Sequence, residues 1–153
     1  MMIHRYPKTD YRNFEINPDN KILLNICDSI EYNVTDSNEF WSNYYSKIQK
    51  DFNEHKPFKL GDVHYTKIFS YHIVCNMICV EWPKTFYNIK PFKINYFKKC
   101  CKKCSEYMKE NNIHLIYTPV LGSKILEGNW KDILSILNTE FKDSELYIFY
   151  NIE

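Results

Sequence analysis

Apolar positions along the chain alternate between two spacings, which predicts strands interleaved with amphipathic helices. The compact apolar run KILLNIC, which begins at Lys21, indicates a buried strand. Further strands are predicted in KPFKLGDVHYTKIF, YHIVCNMICVEW, IHLIYTPV and LYIFY. A first strand is expected within residues 1–14, where the pattern is poorly defined.

Three segments carry apolar residues at helical spacing. The first, TDSNEFWSNYYSKIQKDF, repeats Phe40, Trp41, Tyr44, Ile48 and Phe52. Asp36, with Glu39 three residues later, predicts a capping box at its start. The second is PFKINYFKKCCKKCSEYMKENN, whose stripe is Phe97, Cys100, Cys101, Cys104, Tyr107 and Met108. The last helix presents Trp130, Ile133, Leu134, Leu137 and Phe141 on one face.

The resulting order, roughly β-β-α-β-β-α-β-α-β, predicts an α/β fold with a mixed sheet and helices on both faces. The 153 residues suffice for one domain with a sizeable core and are too few for two ordinary ones, so we expect a single domain over 1–153. In such sheets ligands bind outside the carboxyl ends of the strands. Two loops qualify, the one after KILLNIC and the one after HLIYTPV.

Charge and composition narrow the class of protein. A formal net charge of +1 argues against a general electrostatic grip on nucleic acid. No apolar run approaches the length of a membrane span, and the start MMIHRYPKTDYRNF lacks the apolar stretch of a signal peptide. We therefore expect a cytoplasmic protein. The abundance of Lys, Asn, Ile and Tyr, with scarce Gly and Ala, is typical of an AT-rich genome and hints at a virus, a phage or a low-GC organism.

The six cysteines are expected to be reduced thiols, because the chain shows no secretory signal. The segment CCKKC contains one C-x-x-C zinc half-site. No second C-x-x-C or H-x-x-x-H pair accompanies it, and Cys100, Cys101 and Cys104 also fall at core spacing. Core packing is therefore the favoured interpretation, and neither a metal nor a cofactor is predicted.

The loop over residues 118–130, TPVLGSKILEGNW, leads from a strand into a helix. Unpaired amides at a helix N-terminus attract anions. Gly122 allows a close approach of the backbone, Asn129 is a good N-cap, and Ser123 and Lys124 offer a hydroxyl and a charge. A Walker A loop is excluded because Asn129 follows Gly128 where a Lys would be needed. Spacing alone leaves open whether this loop is a phosphate cradle or a capped connection.

The loop after KILLNIC begins with Asp28 and Ser29 and includes Glu31. Two carboxylates near a strand end could act as acid and base, although Asp28 could equally cap a turn. His64, His72 and His114 fall at or near strand starts, at the end of the sheet away from the expected site. No Ser-His-Asp or Cys-His arrangement is indicated.

Taken together, these segments resemble a macro domain, the ADP-ribose-binding module. The closest branch contains ADP-ribose-1''-phosphate phosphatases and ADP-ribosyl-glutamate hydrolases. PVLGSKILEGNW matches the family's PRIGCGLAGGDW at Pro119, Gly122, Gly128 and Trp130. LGDVHYTKI, YHIVCNMI and LLNICDS resemble its strand motifs, and the match extends over residues 21–150. The resemblance implies a three-layer α/β/α domain.

The resemblance also implies a set of ligand-binding residues. Backbone amides of the second loop would wrap the diphosphate of ADP-ribose; its residues here are Leu121, Gly122, Ser123, Lys124, Ile125 and Leu126. Asp28 would contact the distal ribose, with Ser29 beside it, and Asn76 lies in a matching strand motif. Asp10 is the candidate for recognising the adenine amine, and Tyr150 or Asn151 would lie near the adenine.

Departures from the family pattern indicate an altered pocket. The first loop, SIEYNVTDSN, lacks the family's glycines, and Lys124 replaces the second glycine of the other loop. Leu126 stands where the hydrolases carry an Asp, and their nucleophilic Lys would fall near Met77 or Ile78. The resemblance therefore implies binding of an ADP-ribose-type nucleotide without strong catalysis.

We expect the ligand to be ADP-ribose or a cyclic or conjugated derivative. One specific hypothesis is a viral or phage protein that sequesters an NAD-derived antiviral signal. An ADP-ribosyl hydrolase or phosphatase that uses Asp28 and Ser29 is the enzyme alternative. A protein-interaction module that exposes Trp41, Tyr44 and Tyr45 is a third, and nucleic-acid binding through the lysines of the Cys-rich helix is the least favoured.

Overall fold

A computed structural model of the chain describes residues 1–30, 32, 35–42, 46–81, 90–122 and 126–150, without the side chain of Ser42. The strands in these ranges are β1 (Met2–Pro7), β2 (Lys21–Asp28), β3 (Val63–Phe69), β4 (His72–Val80), β5 (Leu115–Pro119) and β6 (Glu145–Tyr150). The α-helices are α1 (Tyr11–Glu15), α2 (Asp36–Ser42), α3 (Ser46–His55), α4 (Ile94–Glu110) and α5 (Trp130–Glu140). None of these helices is both long enough and apolar enough to cross a membrane.

The strands form a six-stranded mixed sheet in the order β1-β6-β5-β2-β4-β3. All neighbours are parallel except β3, which runs antiparallel to β4 at one edge. A hairpin at Ser70 and Tyr71 joins β3 to β4, whereas the parallel neighbours need longer connections, which the helices supply. The predicted α/β class with a mixed sheet is confirmed.

One face of the sheet packs against α4 and α5. Ile22, Leu24 and Ile26, which alternate along β2, are buried on this face. The helices contribute aliphatic, aromatic and thiol side chains, namely Phe97, Cys100, Cys101, Cys104 and Met108 from α4 and Ile133 and Leu137 from α5. The predicted stripe of the Cys-rich helix is therefore part of the core. We call this side of the sheet the apolar face.

The opposite face packs against α1, α2 and α3 and is rich in aromatic rings. Tyr11, Trp41 and Phe52 are fully buried there against the remaining apolar residues of β2, Leu23 and Cys27. The indole Nε1 of Trp41 donates to the carbonyl oxygen of Leu24 at 2.6 Å. We call this side the aromatic face. Helices on both faces complete the predicted three-layer arrangement.

The region predicted as one helix after KILLNIC is described as α2 and α3, with residues 43–45, including Tyr44, outside the described ranges. The predicted capping box of Asp36 and Glu39 is wrong, because Asp36 is already the first helical residue. Thr35 is the cap. Its Oγ1 accepts from the amide of Asn38 at 3.0 Å, and Asn38 Oδ1 accepts from the amide of Thr35 at 3.3 Å.

Candidate functional site

The parallel strands all end on one edge of the sheet, which we call the carboxyl edge. It is marked by the strand ends Pro7, Asp28, Val80, Pro119 and Tyr150. Parallel pairing sets Pro7 beside Tyr150 and Asp28 beside Val80. The loops after β1, β2 and β5 therefore leave the sheet on the same side, where open α/β sheets bind ligands.

The loop between β5 and α5 is closed by contact between two glycines. Gly122 has a φ of +71°, which side-chain-bearing residues rarely adopt. A Cβ added to Gly128 would lie 2.8 Å from the Cα of Gly122, and one added to Gly122 would lie 2.5 Å from Cδ1 of Ile133. Gly128 therefore has no room for a side chain, and Gly122 is restricted to glycine by its positive φ. The contact brings the two ends of the intervening segment together at the carboxyl edge.

Two leucines anchor this loop to the apolar face. Leu121 and Leu126 are each 1% exposed and pack in the core between the sheet and α4 and α5. The carbonyl oxygen of Leu126 also accepts from the amide of Phe92 at 3.4 Å. Their side chains face the core, so a ligand at the carboxyl edge would meet them through the backbone. The predicted contacts of Ser123, Lys124 and Ile125 fall outside the described residues.

The start of α5 is capped as predicted by Asn129. Its Oδ1 accepts from the amides of Lys131 at 2.9 Å and Asp132 at 3.4 Å. The expectation of unpaired amides at this helix start is therefore wrong for these two groups. Asp132 also places a carboxylate in the first turn, where it interacts favourably with the helix dipole. Amide donors for a phosphate would have to come from the loop itself.

The loop after β2 begins with a turn that Asp28 stabilises. The carboxylate is buried, and its Oδ1 accepts from the amide of Ile30 at 2.8 Å, which is the turn-capping role considered above. Ser29 is half-buried, and its carbonyl oxygen accepts from the amide of Phe58 at 2.7 Å. Both residues lie at the carboxyl edge, and their contact with a distal ribose stays a prediction.

Asp10 and Tyr150 lie toward the same corner of the carboxyl edge. Tyr150 ends β6 opposite Pro7, and Asp10 follows three residues after Pro7 in a 3-10 turn. Both side chains are half-buried, and Asp10, at the N-cap position of α1, makes no side-chain capping bond. The arrangement suits the predicted adenine contacts, which remain predictions; Asn151 lies outside the described residues.

Asn76 belongs to a buried chain of amides beneath α2. Its Oδ1 accepts from Nδ2 of Asn25 at 2.8 Å, and its Nδ2 donates to Oγ1 of Thr66 at 3.2 Å. Asn25 Oδ1 in turn accepts from Nδ2 of Asn38 at 2.9 Å. We call these four residues the asparagine network. Asn76 is 0% exposed and both of its amide atoms are engaged within the protein, so its predicted ligand contact remains a prediction.

Sequence reasoning missed Asn25, Asn38 and Thr66 as polar residues of this face. The signal was present, because Asn25 interrupts the apolar run KILLNIC and Asn76 interrupts HIVCNMICV. Parallel pairing places these two asparagines side by side. Two polar residues in fully buried strands require each other as partners, because a buried amide without a hydrogen bond is costly.

Two expectations about other side chains are wrong. His64 was placed at the edge away from the site because it begins a strand, but β3 is antiparallel to β4, so this end of β3 lies toward the carboxyl edge. Trp41 was a candidate for an exposed aromatic patch, yet it is 0% exposed. Tyr44 and Tyr45, the other members of that patch, lie outside the described residues.

All six cysteines are buried free thiols, which confirms that they pack as core side chains. Burial raises the pKa of Cys100 to about 12, despite the opposing charge of Lys103. Burial likewise raises the pKa of Cys27, Cys75, Cys79 and Cys101. Thiols with raised pKa values carry little thiolate at neutral pH, so these five are poor nucleophiles.

A cavity of about 270 Å³ lies at the opposite end of the domain, between the C-terminal ends of α4 and α5. Lys109, Glu140 and Ser144 are among the residues that line it. Helix C-termini carry partial negative charge and favour cations over phosphates. This cavity is therefore a poorer place for a nucleotide than the carboxyl edge.

No family model and no curated protein sequence matches this chain. Solved structures match it over nearly its full length. A Bacteroides thetaiotaomicron protein of unknown function superposes with a TM-score of 0.84 at 18% identity, over 98% of each chain. The macrodomain of Mycobacterium tuberculosis DarG superposes with a TM-score of 0.75 at 15% identity, over 99% of each chain.

Thermosipho africanus DarTG, solved in complex with ADP-ribose, matches with a TM-score of 0.67 at 10% identity. The match covers 86% of this chain and 38% of the DarTG chain. At these identities the comparisons show the fold: this chain has the macrodomain fold, as the resemblance of its sequence motifs implied.

Proposed function

We propose that this chain, which has the macrodomain fold, binds an ADP-ribose-type nucleotide at the carboxyl edge and holds it without turnover. The observation that supports this most directly is the contact of Gly122 with Gly128, which closes the β5–α5 loop beside the strand ends. This contact holds the two described ends of the loop close together, and successive backbone amides in such loops form concave sites for phosphate oxygens. The similarity to DarTG, solved with ADP-ribose, supports the choice of ligand.

The proposed absence of turnover rests on three positions. Met77, Ile78 and Leu126, where the related hydrolases are expected to carry a nucleophile and an acid, are buried apolar side chains here. None of them can donate a proton or attack a substrate. Asp28 remains at the carboxyl edge, but its Oδ1 already accepts a hydrogen bond from the amide of Ile30. These features favour a binder over a hydrolase.

For the biological role we propose sequestration of an NAD-derived signal, such as a cyclic or conjugated ADP-ribose used in antiviral defence. A stoichiometric binder needs affinity rather than catalysis, which agrees with the apolar residues at the expected catalytic positions. The composition, typical of an AT-rich genome, supports a viral or phage source acting in the host cytoplasm.

The test is isothermal titration calorimetry with ADP-ribose and its cyclic derivatives, followed by mass spectrometry of the recovered ligand. We expect one molecule bound per chain and recovery of unchanged ligand. Asp10→Asn should weaken binding by roughly 10- to 150-fold, since the loss of one charge-assisted hydrogen bond costs about 1.5–3 kcal/mol. The matched control is Asp143→Asn, an exposed carboxylate next to the opposite cavity, which should bind as the wild type does.

Each other outcome identifies a different function. Complete conversion of the ligand, abolished by Asp28→Ala, would replace the binder with the hydrolase or phosphatase alternative. No binding to any member of the panel would favour a protein-interaction module that kept the fold. Equal weakening by Asp10→Asn and Asp143→Asn would contradict the placement of the adenine.

A further inference from the structure

Three potential metal ligands converge outside the nucleotide site, between α3 and β3. Asp51 and His55 lie four residues apart on α3, so their side chains are neighbours on one helix face. His64, the second residue of β3, comes from the adjacent edge strand. From each residue one ligand atom is available, and these atoms all lie within 4.8 Å of one another.

The distances suit a single ion. Nε2 of His64 lies 2.8 Å from Oδ2 of Asp51, and Nδ1 of His55 lies 3.2 Å from Oδ1 of the same carboxylate. Zinc holds nitrogen and oxygen ligands at about 2.0–2.2 Å, so two ligands on one ion are roughly 3–4 Å apart. Nδ1 of His55 also lies 2.8 Å from the carbonyl oxygen of Asp51, a contact that an ion at this site would replace. We propose that Asp51, His55 and His64 form a binding site for a divalent transition-metal ion of the zinc class.

The imidazoles are placed as a pair around one carboxylate. The ring centroids of His55 and His64 are 4.7 Å apart. Two protonated rings at this separation would repel each other, whereas two neutral rings can share a cation. Two imidazoles and a carboxylate are a donor set suited to zinc, nickel, cobalt or ferrous iron rather than to calcium or magnesium.

The carboxylate of Asp51 is held in a defined orientation. Nε2 of His64 lies 2.8 Å from its Oδ2, and Nδ1 of His55 lies 3.2 Å from its Oδ1. Thr66 Oγ1 donates to Oδ2 of Asp51. This bond is the kind of outer contact that orients a metal-binding carboxylate and raises affinity.

The cluster is open enough to load from solvent. The side chain of His55 is 52% exposed, while those of Asp51 and His64 are 25% and 20% exposed. Three protein ligands leave a tetrahedral ion one position for water or for an added ligand. The site is therefore accessible and coordinatively incomplete, which permits exchange of the metal.

The metal site would be continuous with the asparagine network. Thr66 donates to Asp51 and accepts from Asn76, which accepts from Asn25. A cation on Asp51 would fix the orientation of this carboxylate. Through Thr66 it would also fix the orientation of the side-chain amides in the asparagine network. We therefore expect metal binding to raise the melting temperature of the whole domain. This inference does not depend on the ligand proposed for the carboxyl edge.

The test is calorimetric titration of the metal-free, reduced protein with Zn²⁺, supported by Co²⁺ absorption spectra. We expect one ion per chain. Loss of an outer contact typically weakens a metal site about 10- to 100-fold, so loss of a ligand should weaken it at least about 100-fold. His55→Gln is the main variant, because a half-exposed side chain can be replaced without disturbing the core. Asp51→Asn and His64→Gln follow, with circular dichroism to verify folding.

The matched control is His114→Gln. This exposed histidine lies just before β5, where its Nε2 contacts Oδ1 of Asn112 at 3.1 Å, and its replacement should leave Zn²⁺ affinity unchanged. Co²⁺ spectra separate the proposed donors from thiols, since thiolate ligands add intense charge-transfer bands. Binding insensitive to His55→Gln, a thiolate spectrum, or binding only at millimolar Zn²⁺ would each overturn the proposal.

Discussion

The same strands of the sheet contribute side chains to the apolar face and to the aromatic face, but the side chains on the two faces differ in chemistry. Against α4 and α5 the strands present aliphatic side chains and thiols such as Ile22 and Cys75, and Phe97 and Cys101 of α4 are fully buried against them. Against α2 and α3 the same strands present Asn25 and Asn76, which are fully buried yet polar. Dispersion and the hydrophobic effect stabilise the first face, whereas the second also depends on hydrogen bonds that must all be made.

This difference suggests how the two faces divide their roles. An apolar core tolerates volume-conserving substitutions, because the hydrophobic effect is not directional. A buried hydrogen-bonded network specifies one arrangement, and the asparagine network fixes the end of β2 against α2 through Asn38, whose Nδ2 also donates to the carbonyl oxygen of Ile26 at 2.9 Å. The aromatic face thus holds the end of β2, from which the loop at Asp28 begins, in a defined position.

The largest expected effect is on the apolar face. Phe97→Ala removes a ring that is 0% exposed and should lower the free energy of unfolding by about 3–5 kcal/mol. Chemical denaturation monitored by circular dichroism measures the change. A loss below about 1 kcal/mol would mean that α4 is not packed on the sheet as described.

A smaller loss is expected on the aromatic face. Asn76→Ala leaves Asn25 without its strongest acceptor and Thr66 without a donor, and should cost about 2–3 kcal/mol. In a double-mutant cycle with Asn25→Ala the two losses should be non-additive by about 0.5–3 kcal/mol, since the residues share a hydrogen bond. Additive losses would show that the network is not cooperative.

The aromatic face should also be the acid-sensitive one. Burial and the nearby Lys21 lower the pKa of His72 from 6.5 to about 4. Between these values the unfolded chain binds the proton and the native chain does not, so stability falls as the pH drops from about 6.5 to about 4. Replacement of His72 by Phe should remove a pH-dependent loss in the free energy of unfolding of roughly 3 kcal/mol over this range. An unchanged acid transition in denaturation at several pH values would exclude His72 as its cause.

The smallest effect concerns the cap of α2. Thr35→Ala should cost about 1 kcal/mol through loss of the capping bond to the amide of Asn38, whereas Asp36→Ala should cost only a few tenths. Melting temperatures of the two variants provide the measurement. The reverse order would restore the capping box that the sequence pattern predicted at Asp36.

The periodicity of the sequence was sufficient to predict the layers of the fold, but it did not predict all of the contacts within them. The strands, the stripe of α4 and the cap at Asn129 follow from local spacing, so they could be predicted. The position of His64 could not, because it depends on whether β3 runs parallel or antiparallel to β4. The burial of Trp41 and the pairing of Asn25 with Asn76 likewise depend on contacts between distant segments.

The candidate site, too, could be predicted from the sequence only where it depends on local features. Gly122 and Gly128 could be singled out from a family motif, and Asn129 could be predicted as the N-cap, whereas the contact of the two glycines with each other could not be predicted. A site formed within one loop can be predicted from the sequence. A site formed where two elements meet, as at Asp51 and His64, cannot.

Nucleotide binding at the carboxyl edge is tested most directly by titration of the ¹⁵N-labelled protein with ADP-ribose, in which amide chemical shifts are followed. We expect the shift changes to concentrate at the carboxyl edge, at Asp10, Ile30, Gly122 and Gly128. Shifts concentrated around Lys109 and Ser144, at the opposite cavity, or no shifts at millimolar ligand, would contradict it.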